Sequence, residues 1–163
     1  MLTIFRGEST HKMDQKGRVS IPADYRRIIV EENAKVEKEL DQNTLVIVFG
    51  DNRQSHLECY PLTLSREIHE NIKSKFPRGT PKREFLDNFF ETKSIAVQID
   101  PNGRMLLPQN VRTKADLGTN VCFAGKGESF QIWNPEKYSQ RQKELEAMFR
   151  DDEIISNPLV LLE

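Results

Sequence analysis

Two short segments of the chain carry residue types suited to holding a phosphate or reading a base edge. Each has an aspartate, a glycine and an arginine at one spacing: Asp14, Gly17 and Arg18, then Asp100, Gly103 and Arg104. An arginine guanidinium is a planar donor fork that matches phosphate or a guanine edge. The aspartate can accept backbone N–H groups of its own turn, and the glycine leaves the backbone unhindered. The spacing therefore predicts two turns that each present an arginine.

The same residues also allow a purely structural interpretation, in which the aspartate and arginine of each segment form an ion pair that braces the turn. The repetition is more informative than the motif. Residues 14–26 and 100–112 are related by a constant offset of 86, and Asp, Gly, Arg, Pro and a final Arg recur in register. A fixed-offset repeat indicates two copies of one supersecondary unit. Duplication is stronger evidence about the fold than about the function, so the binding and the structural interpretations of the motif both stay open.

Each copy predicts a β-hairpin with its arginine just beyond the tip. Pro101-Asn102-Gly103 is a strong tight-turn sequence, and Lys16-Gly17 is a weaker form of the same signal. The exit strand of the first copy alternates, with Val19 and Ile21 on one side. Strand alternation of this kind places the arginine on the opposite, solvent-facing side.

The residues after each hairpin predict the same order of elements in both halves. Pro22 and Pro108 suit the first turn of a short helix, and Gly118 is a natural C-cap for the second one. A strand, a turn, a second strand and a longer helix follow, with Tyr60 and Trp133 ending equivalent strands as packing residues. The predicted helices cover residues 23–30, 62–75, 82–90, 109–117 and 135–149. The predicted strands cover 11–13, 18–21, 45–49, 57–60, 96–99, 104–107, 121–123 and 130–133.

This pattern predicts a first half over residues 1–76, a linker and connecting helix over 77–90, a second half over 91–150 and a tail over 151–163. The acidic stretch Glu31–Asp41 either extends the first short helix or forms a mobile loop. The tail is acidic and then apolar at Leu159–Leu162. It is interpreted as a loosely held segment or one that docks on a neighbouring subunit.

The net charge of −1 argues against a simple polyanion binder, but the charge is unevenly distributed. Residues 1–30 carry +3, 31–70 carry −5, 71–120 carry +4 and 121–163 carry −3. Both copies of the repeat lie in the positive segments, and local field steers a phosphate backbone more than total charge does. The distribution is compatible with nucleic-acid binding and equally with a mosaic surface.

Nothing in the sequence predicts an enzyme, a metal site or a cofactor. Cys59 and Cys122 lie in apolar stretches without CxxC spacing and are interpreted as buried, reduced thiols. The histidines at 11, 56 and 69 lack partners at ligand spacing, although His11 near the first hairpin could contact a phosphate. The N-terminus has no apolar signal region, and the longest apolar run has five residues. These features predict a soluble cytoplasmic protein without membrane contact.

The duplicated segments resemble the signature of the MraZ family. The resemblance lies in Phe5-Arg6-Gly7, residues 14–26, residues 100–108 and Phe130–Trp133, and it covers roughly residues 1–150. It implies an α+β fold with two tandem AbrB-like units of swapped-hairpin type, flanked by helices and assembled as a homo-oligomeric ring. It also implies a nucleoid-associated transcriptional regulator. Such a regulator binds direct repeats in double-stranded DNA upstream of the division and cell-wall gene cluster, including its own gene.

Carried over to this chain, the family's DNA-contacting arginine matches Arg18, and its counterpart in the second half is Arg104. Lys16 and Gln15 are replaced by Asn102 and Pro101 in the second copy, so the first copy is expected to dominate DNA contact. The expected DNA-contacting residues are Arg18, Lys16, Lys12 and Arg104, and the expected hairpin-bracing residues are Asp14, Gly17, Asp100 and Gly103. The alternative function is an AbrB-type protein-interaction or antitoxin-like module.

Overall fold

The computed structural model describes residues 4–36, 42–151 and 156–163, and it has a mixed α+β fold. Its eight strands are β1 (Glu8–Lys12), β2 (Arg18–Ser20), β3 (Thr44–Val48), β4 (Leu57–Tyr60), β5 (Ser94–Gln98), β6 (Arg104–Leu106), β7 (Asn120–Gly125) and β8 (Phe130–Trp133). The α-helices within the described residues are α1 (Ala23–Asn33), α2 (Leu62–Lys75), α3 (Pro81–Asp87), α4 (Gln109–Lys114) and α5 (Pro135–Met148).

Six strands form one antiparallel sheet in the order β1-β7-β8-β4-β3-β5. Its middle, β8 against β4, joins the two halves through Glu58 opposite Gln131. The strand pairs at both edges of the sheet also join the two halves, because β1 pairs with β7 and β5 pairs with β3. The first strand of each half is therefore hydrogen-bonded to the other half, and the two halves share one sheet.

The remaining two strands, β2 and β6, pair with each other in a separate two-stranded sheet. The prediction of two hairpins is therefore correct for the turns but wrong for the strands, because the strands that flank each turn do not pair with each other. In the first copy the hairpin is limited to the turn and a single bridge between Met13 and Val19. The strand after the turn, β2, pairs instead with β6 of the other half, with Val19 opposite Met105. Both of these side chains are only 1% exposed, so the exchange buries an apolar residue from each short strand.

Four aromatic side chains form the centre of the hydrophobic core. Phe5 contacts Tyr25 with ring centroids 5.2 Å apart, and Tyr25 contacts Phe130 at 4.9 Å. Phe123 stacks on Phe130 at 5.9 Å. These residues come from the N-terminal segment, α1, β7 and β8, so the core is continuous across the two halves. Strand-end residues Tyr60 and Trp133 are buried too, and both cysteines are buried and free.

The helices after the two exchanged strands differ from the prediction at their ends. Helices α1 and α4 begin where predicted, at Ala23 and Gln109, but Pro22 and Pro108 are their N-caps and not first-turn residues. The left-handed residue after α4 is Asp116, with φ 52°, so the predicted C-cap at Gly118 is wrong. The backbone N–H of Leu117 bonds back to the Arg112 carbonyl at 2.9 Å and closes the helix there.

Helix α1 continues three residues beyond its predicted end, which means that part of the acidic stretch is helical. Residues 37–41 of that stretch lie outside the described residues. The connecting helix begins at Pro81, where Thr80 caps it, and passes into a π-helical turn over Asn88–Thr92. In the tail, a 3₁₀ turn over Pro158–Leu162 leaves its leucines exposed, while residues 152–155 lie outside the described residues.

Candidate nucleic-acid interface

The first turn is held together by one carboxylate. Oδ1 of Asp14 accepts the backbone N–H groups of Lys16 at 3.0 Å and Arg18 at 2.9 Å. Oδ2 accepts Nε–H of Arg18 at 2.7 Å. The backbone N–H of Gly17 also donates to the Asp14 carbonyl at 3.0 Å, and Gly17 has φ +93°. The aspartate thus orders the backbone of the turn and the first nitrogen of the arginine together.

The second turn repeats this backbone geometry with a looser arginine. Oδ1 of Asp100 accepts the backbone N–H groups of Asn102 at 2.8 Å and Arg104 at 3.0 Å. Nε of Arg104, however, lies 3.6 Å from Oδ2 of Asp100. That distance is too long for a hydrogen bond, and this buried nitrogen has no hydrogen-bond partner among the described residues. The two copies are therefore unequal in how firmly they hold the arginine.

Both turn carboxylates are stabilised in their charged form. Hydrogen bonds from the backbone and the side chain of Arg18 hold the pKa of Asp14 below its ordinary value of 3.8. The pKa of Asp100 is also lowered, chiefly by the backbone hydrogen bond from Arg104, with a smaller contribution from the charge of Arg18.

The two turns lie at opposite ends of the short β2–β6 pair, and each contacts residues of the other half. The backbone N–H of Leu107 donates to the Gly17 carbonyl at 2.9 Å, and that of Ile21 donates to the Gly103 carbonyl at 3.0 Å. Both glycines are closely covered by atoms of the other half. A Cβ at Gly17 would lie 2.5 Å from the Leu107 carbonyl oxygen, and a Cβ at Gly103 would overlap the guanidinium of Arg26. Both turns therefore belong to one surface.

The surface formed by the two turns is basic, and we call it the paired-turn surface. It holds five cations and two carboxylates: Lys16, Arg18, Arg26, Arg104 and Arg112, with Asp14 and Asp100. Lys16 is exposed at the tip of the first turn, whereas Lys12 is exposed at the end of β1, opposite Asn120. A net charge of +3 here, in a chain of net charge −1, concentrates positive field at one place.

In the sequence, Arg26 and Arg112 are noted only as the final arginine of each copy, and no contact between them and the turns is predicted. Each donates Nε–H to a backbone carbonyl five residues earlier, Arg26 to Ile21 at 3.2 Å and Arg112 to Leu107 at 2.9 Å. The available signal was their identical position in both repeats. Their contact with the opposite turn depends on the exchange of β2 and β6.

The histidines lie in other surroundings. His11 bonds to Ser9 Oγ at 2.8 Å and packs edge-on against Phe123, and partial burial lowers its pKa. His56 stacks on Trp133 with centroids 4.3 Å apart and bonds to Glu58 at 2.7 Å. Among the described residues, no group of three or more His, Cys, Asp or Glu side chains could hold a metal ion.

The amino-acid sequence is similar to those of a known protein family. A family model described as "MraZ protein, putative antitoxin-like" matches residues 4–88 and 91–154. The chain belongs to the MraZ family. The two matched ranges correspond to two tandem MraZ units, and each unit contains one of the two turns.

Individual MraZ proteins resemble the chain over most of its length. The protein named "Transcriptional regulator MraZ" from a Ruegeria species is 42% identical over 136 residues, which is 83% of this chain and 80% of that protein. The protein of the same name from Ruegeria pomeroyi is 41% identical over 85% of this chain and 81% of its own length. The one from Beijerinckia indica is 31% identical over 90% and 84%.

Within the described ranges, no helix has both the length and the apolar character needed to cross a bilayer.

Proposed function

We propose that this chain is a transcriptional regulator that binds double-stranded DNA through the paired-turn surface. The similar MraZ proteins are named as transcriptional regulators, which supports the regulatory class. The observation that carries DNA as the ligand is the convergence of five cations around two ordered turns. Phosphate contacts supply much of the affinity for DNA, while side chains that reach base edges supply specificity.

In this proposal Arg18 makes the principal sequence-specific contact with DNA. Its Nε is taken by Asp14, and no hydrogen bond to its Nη atoms is found in the described part of the chain. With Nε held, the outer edge of the guanidinium points away from the ion pair and is available to a guanine or a phosphate. Lys16 and Lys12 add phosphate contacts, and Arg104 is a weaker partner because Asp100 does not fix it through a hydrogen bond.

One paired-turn surface offers few cations, so a single subunit would bind DNA weakly. We infer that several subunits form a ring whose AbrB-like, swapped-hairpin units present these surfaces on one face. Linked weak sites gain affinity through effective concentration, and evenly spaced surfaces suit direct repeats in DNA. The expected sites lie upstream of the division and cell-wall gene cluster, including the protein's own gene, with the protein associated with the nucleoid.

The proposal is tested by measuring binding of the full chain to DNA from upstream of its own gene and to scrambled DNA of equal length, over a salt series. Arg18→Ala is expected to lose about 5- to 150-fold in affinity for the upstream DNA, since a bidentate base contact contributes about 1–3 kcal/mol. Arg104→Ala is the matched control and is expected to lose less. Size measurements check that assembly is unchanged. Equal affinity of the wild-type chain for both DNAs would contradict the proposed function.

The alternative of an AbrB-type interaction or antitoxin-like module is less well supported. The family description contains the words "antitoxin-like", but the similar proteins are named as regulators. A stable complex with a second protein in place of selective DNA binding would favour the alternative.

A further inference from the structure

Arg112 belongs to the second half of the chain but lies against the turn of the first half. A Cβ at Gly17 would be 2.7 Å from Nε of Arg112 and 3.0 Å from its Cζ. The guanidinium therefore occupies the space directly above Gly17, the residue that precedes Arg18. It forms part of the wall of the first turn although it follows a different strand.

A short series of hydrogen bonds holds Arg112 in this place. The Gly17 carbonyl accepts the backbone N–H of Leu107 at 2.9 Å, and the Leu107 carbonyl accepts Nε–H of Arg112 at 2.9 Å. Leu107 is fully buried, so its peptide group is fixed by the core. The position of the guanidinium is thereby tied to the position of the Gly17 peptide, with Leu107 as the link.

We propose that Arg112 is a positioning residue for the DNA-contacting turn of the first half. Its planar guanidinium, bound to the Leu107 carbonyl, packs on Gly17 and restricts the directions in which Arg18 can leave the turn. This inference rests on the proposed function. A lysine at this position keeps the charge but has neither a planar group nor an Nε donor at the same reach. Positioning and simple charge therefore make different predictions for Arg112→Lys.

The second turn contains a natural control for this residue. Arg26 packs over Gly103, where a Cβ would lie 2.6 Å from its Cζ, and donates Nε–H to the Ile21 carbonyl at 3.2 Å. The geometry is equivalent, but the turn it supports has Asn102 in place of Lys16 and a less firmly held arginine. A change at Arg26 therefore perturbs the same kind of contact at the second turn, whose Arg104 is expected to contribute less to DNA binding.

The test measures DNA binding by the full-length wild-type, Arg112→Lys and Arg26→Lys chains, with DNA from upstream of the protein's own gene and scrambled DNA of equal length. For Arg112→Lys we expect about a tenfold loss of affinity for the upstream DNA, comparable to misplacing one base contact. Binding to scrambled DNA should fall by less than binding to the upstream DNA, and the salt dependence should be similar, since the charge is kept. For Arg26→Lys we expect a loss below about threefold.

A double-mutant cycle separates positioning from a general structural role. If Arg112 acts through Arg18, then Arg112→Lys should cost less than about twofold in an Arg18→Ala background. Equal losses in both backgrounds, or wild-type affinity for Arg112→Lys, would overturn the inference while the comparison of wild type with Arg18→Ala still supports DNA binding. A wild-type chain without preference for the upstream DNA would overturn both. Should Arg112→Lys not fold, Arg112→Gln is carried through the same cycle.

Discussion

At the scale of single residues, the guanidinium of Arg18 has two sides with different surroundings. Its Nε faces Asp14 in an ion pair of 2.7 Å, and its side chain is 41% exposed. The interpretation as a structural brace and the interpretation as a DNA reader therefore do not exclude each other. An arginine held at Nε loses fewer orientations when it meets a phosphate or a base, because part of its freedom is already gone.

Gly17 is the position in the first turn that tolerates a substitution least. Gly17→Ala places a Cβ 2.5 Å from a backbone oxygen in a residue with φ +93°, so strain and overlap add. We expect a loss of about 3 kcal/mol in the free energy of unfolding, measured by chemical denaturation. Gly79→Ala is the control, since it has φ +89° with nothing within 4 Å, and we expect about 1 kcal/mol there. Equal losses at both glycines would contradict the close packing.

Asp14 leads to a prediction about pH. Its pKa lies below the ordinary value of 3.8, so the stabilisation it provides is fully present above that value and is lost as the pH falls through the lowered pKa. We expect the turn to be unaffected from pH 7 to 5 and to loosen only below pH 3.8. A carboxyl NMR titration measures this directly.

The same titration in Arg18→Ala provides the control for Asp14. The pKa should rise because the side-chain hydrogen bond and the charge are removed, yet stay below 3.8 because the backbone N–H groups of residues 16 and 18 still donate. An Asp14 pKa at the ordinary value in the wild-type chain would show that the carboxylate does not order the turn.

At the scale of elements, a buried asparagine joins α1 to the strand and helix that follow it. Asn33 is 0% exposed, and its Nδ2 donates to the carbonyls of Gln42 at 2.6 Å and Thr44 at 2.7 Å. Its Oδ1 accepts the backbone N–H of Leu62 at 2.8 Å. The side chain thus connects the end of α1 with the start of β3 and the first residue of α2.

Asn33→Ala removes all three of these hydrogen bonds and leaves their backbone partners buried. We expect a loss of about 3 kcal/mol in the free energy of unfolding, because unsatisfied buried groups cost about 1–3 kcal/mol each and some relax. Thermal and denaturant unfolding measure the effect. Asn71→Ala on the exposed side of α2 is the control and should change the free energy by less than about 0.5 kcal/mol. Similar values for the two variants would argue against this role of Asn33.

Sequence patterns predict the elements of this fold better than their partners. β4, β8 and α2 have the predicted bounds, because their alternation or helical periodicity is local. The hairpins fail beyond the turn, since the sequence around Gly17 specifies a reversal but does not specify which strand Val19 will meet. The residue with a left-handed backbone after α4 is Asp116, and not Gly118, which the sequence predicts as the C-cap.

At the scale of the whole molecule, neither half is complete by itself. β1 needs β7, β2 needs β6 and β5 needs β3, and each of these pairs joins the two halves. The aromatic core also draws Tyr25 from the first half and Phe130 from the second. The paired-turn surface follows the same rule, because each of its turns is covered by an arginine of the other half.

This interdependence predicts that a chain of residues 1–90 does not form a stable monomer. Its strands β1 and β2 would lose their partners, and apolar side chains such as Val19 would be exposed. We expect an unfolded or self-associated species by circular dichroism and light scattering. Mixing it with a chain of residues 91–163 should restore the native spectrum. A monomeric, cooperatively unfolding 1–90 chain would contradict the prediction.

The duplication, the order of the elements, the residues of the two turns and the resemblance to the MraZ family can all be inferred from the amino-acid sequence, because periodicity and turn chemistry act over a few neighbouring residues. The exchange of strands between the halves, the common surface of the two turns and the contacts of Arg26 and Arg112 with the opposite turns are visible in the tertiary structure alone. These features depend on which apolar side chains are buried together, and that is a property of the complete core and not of any segment.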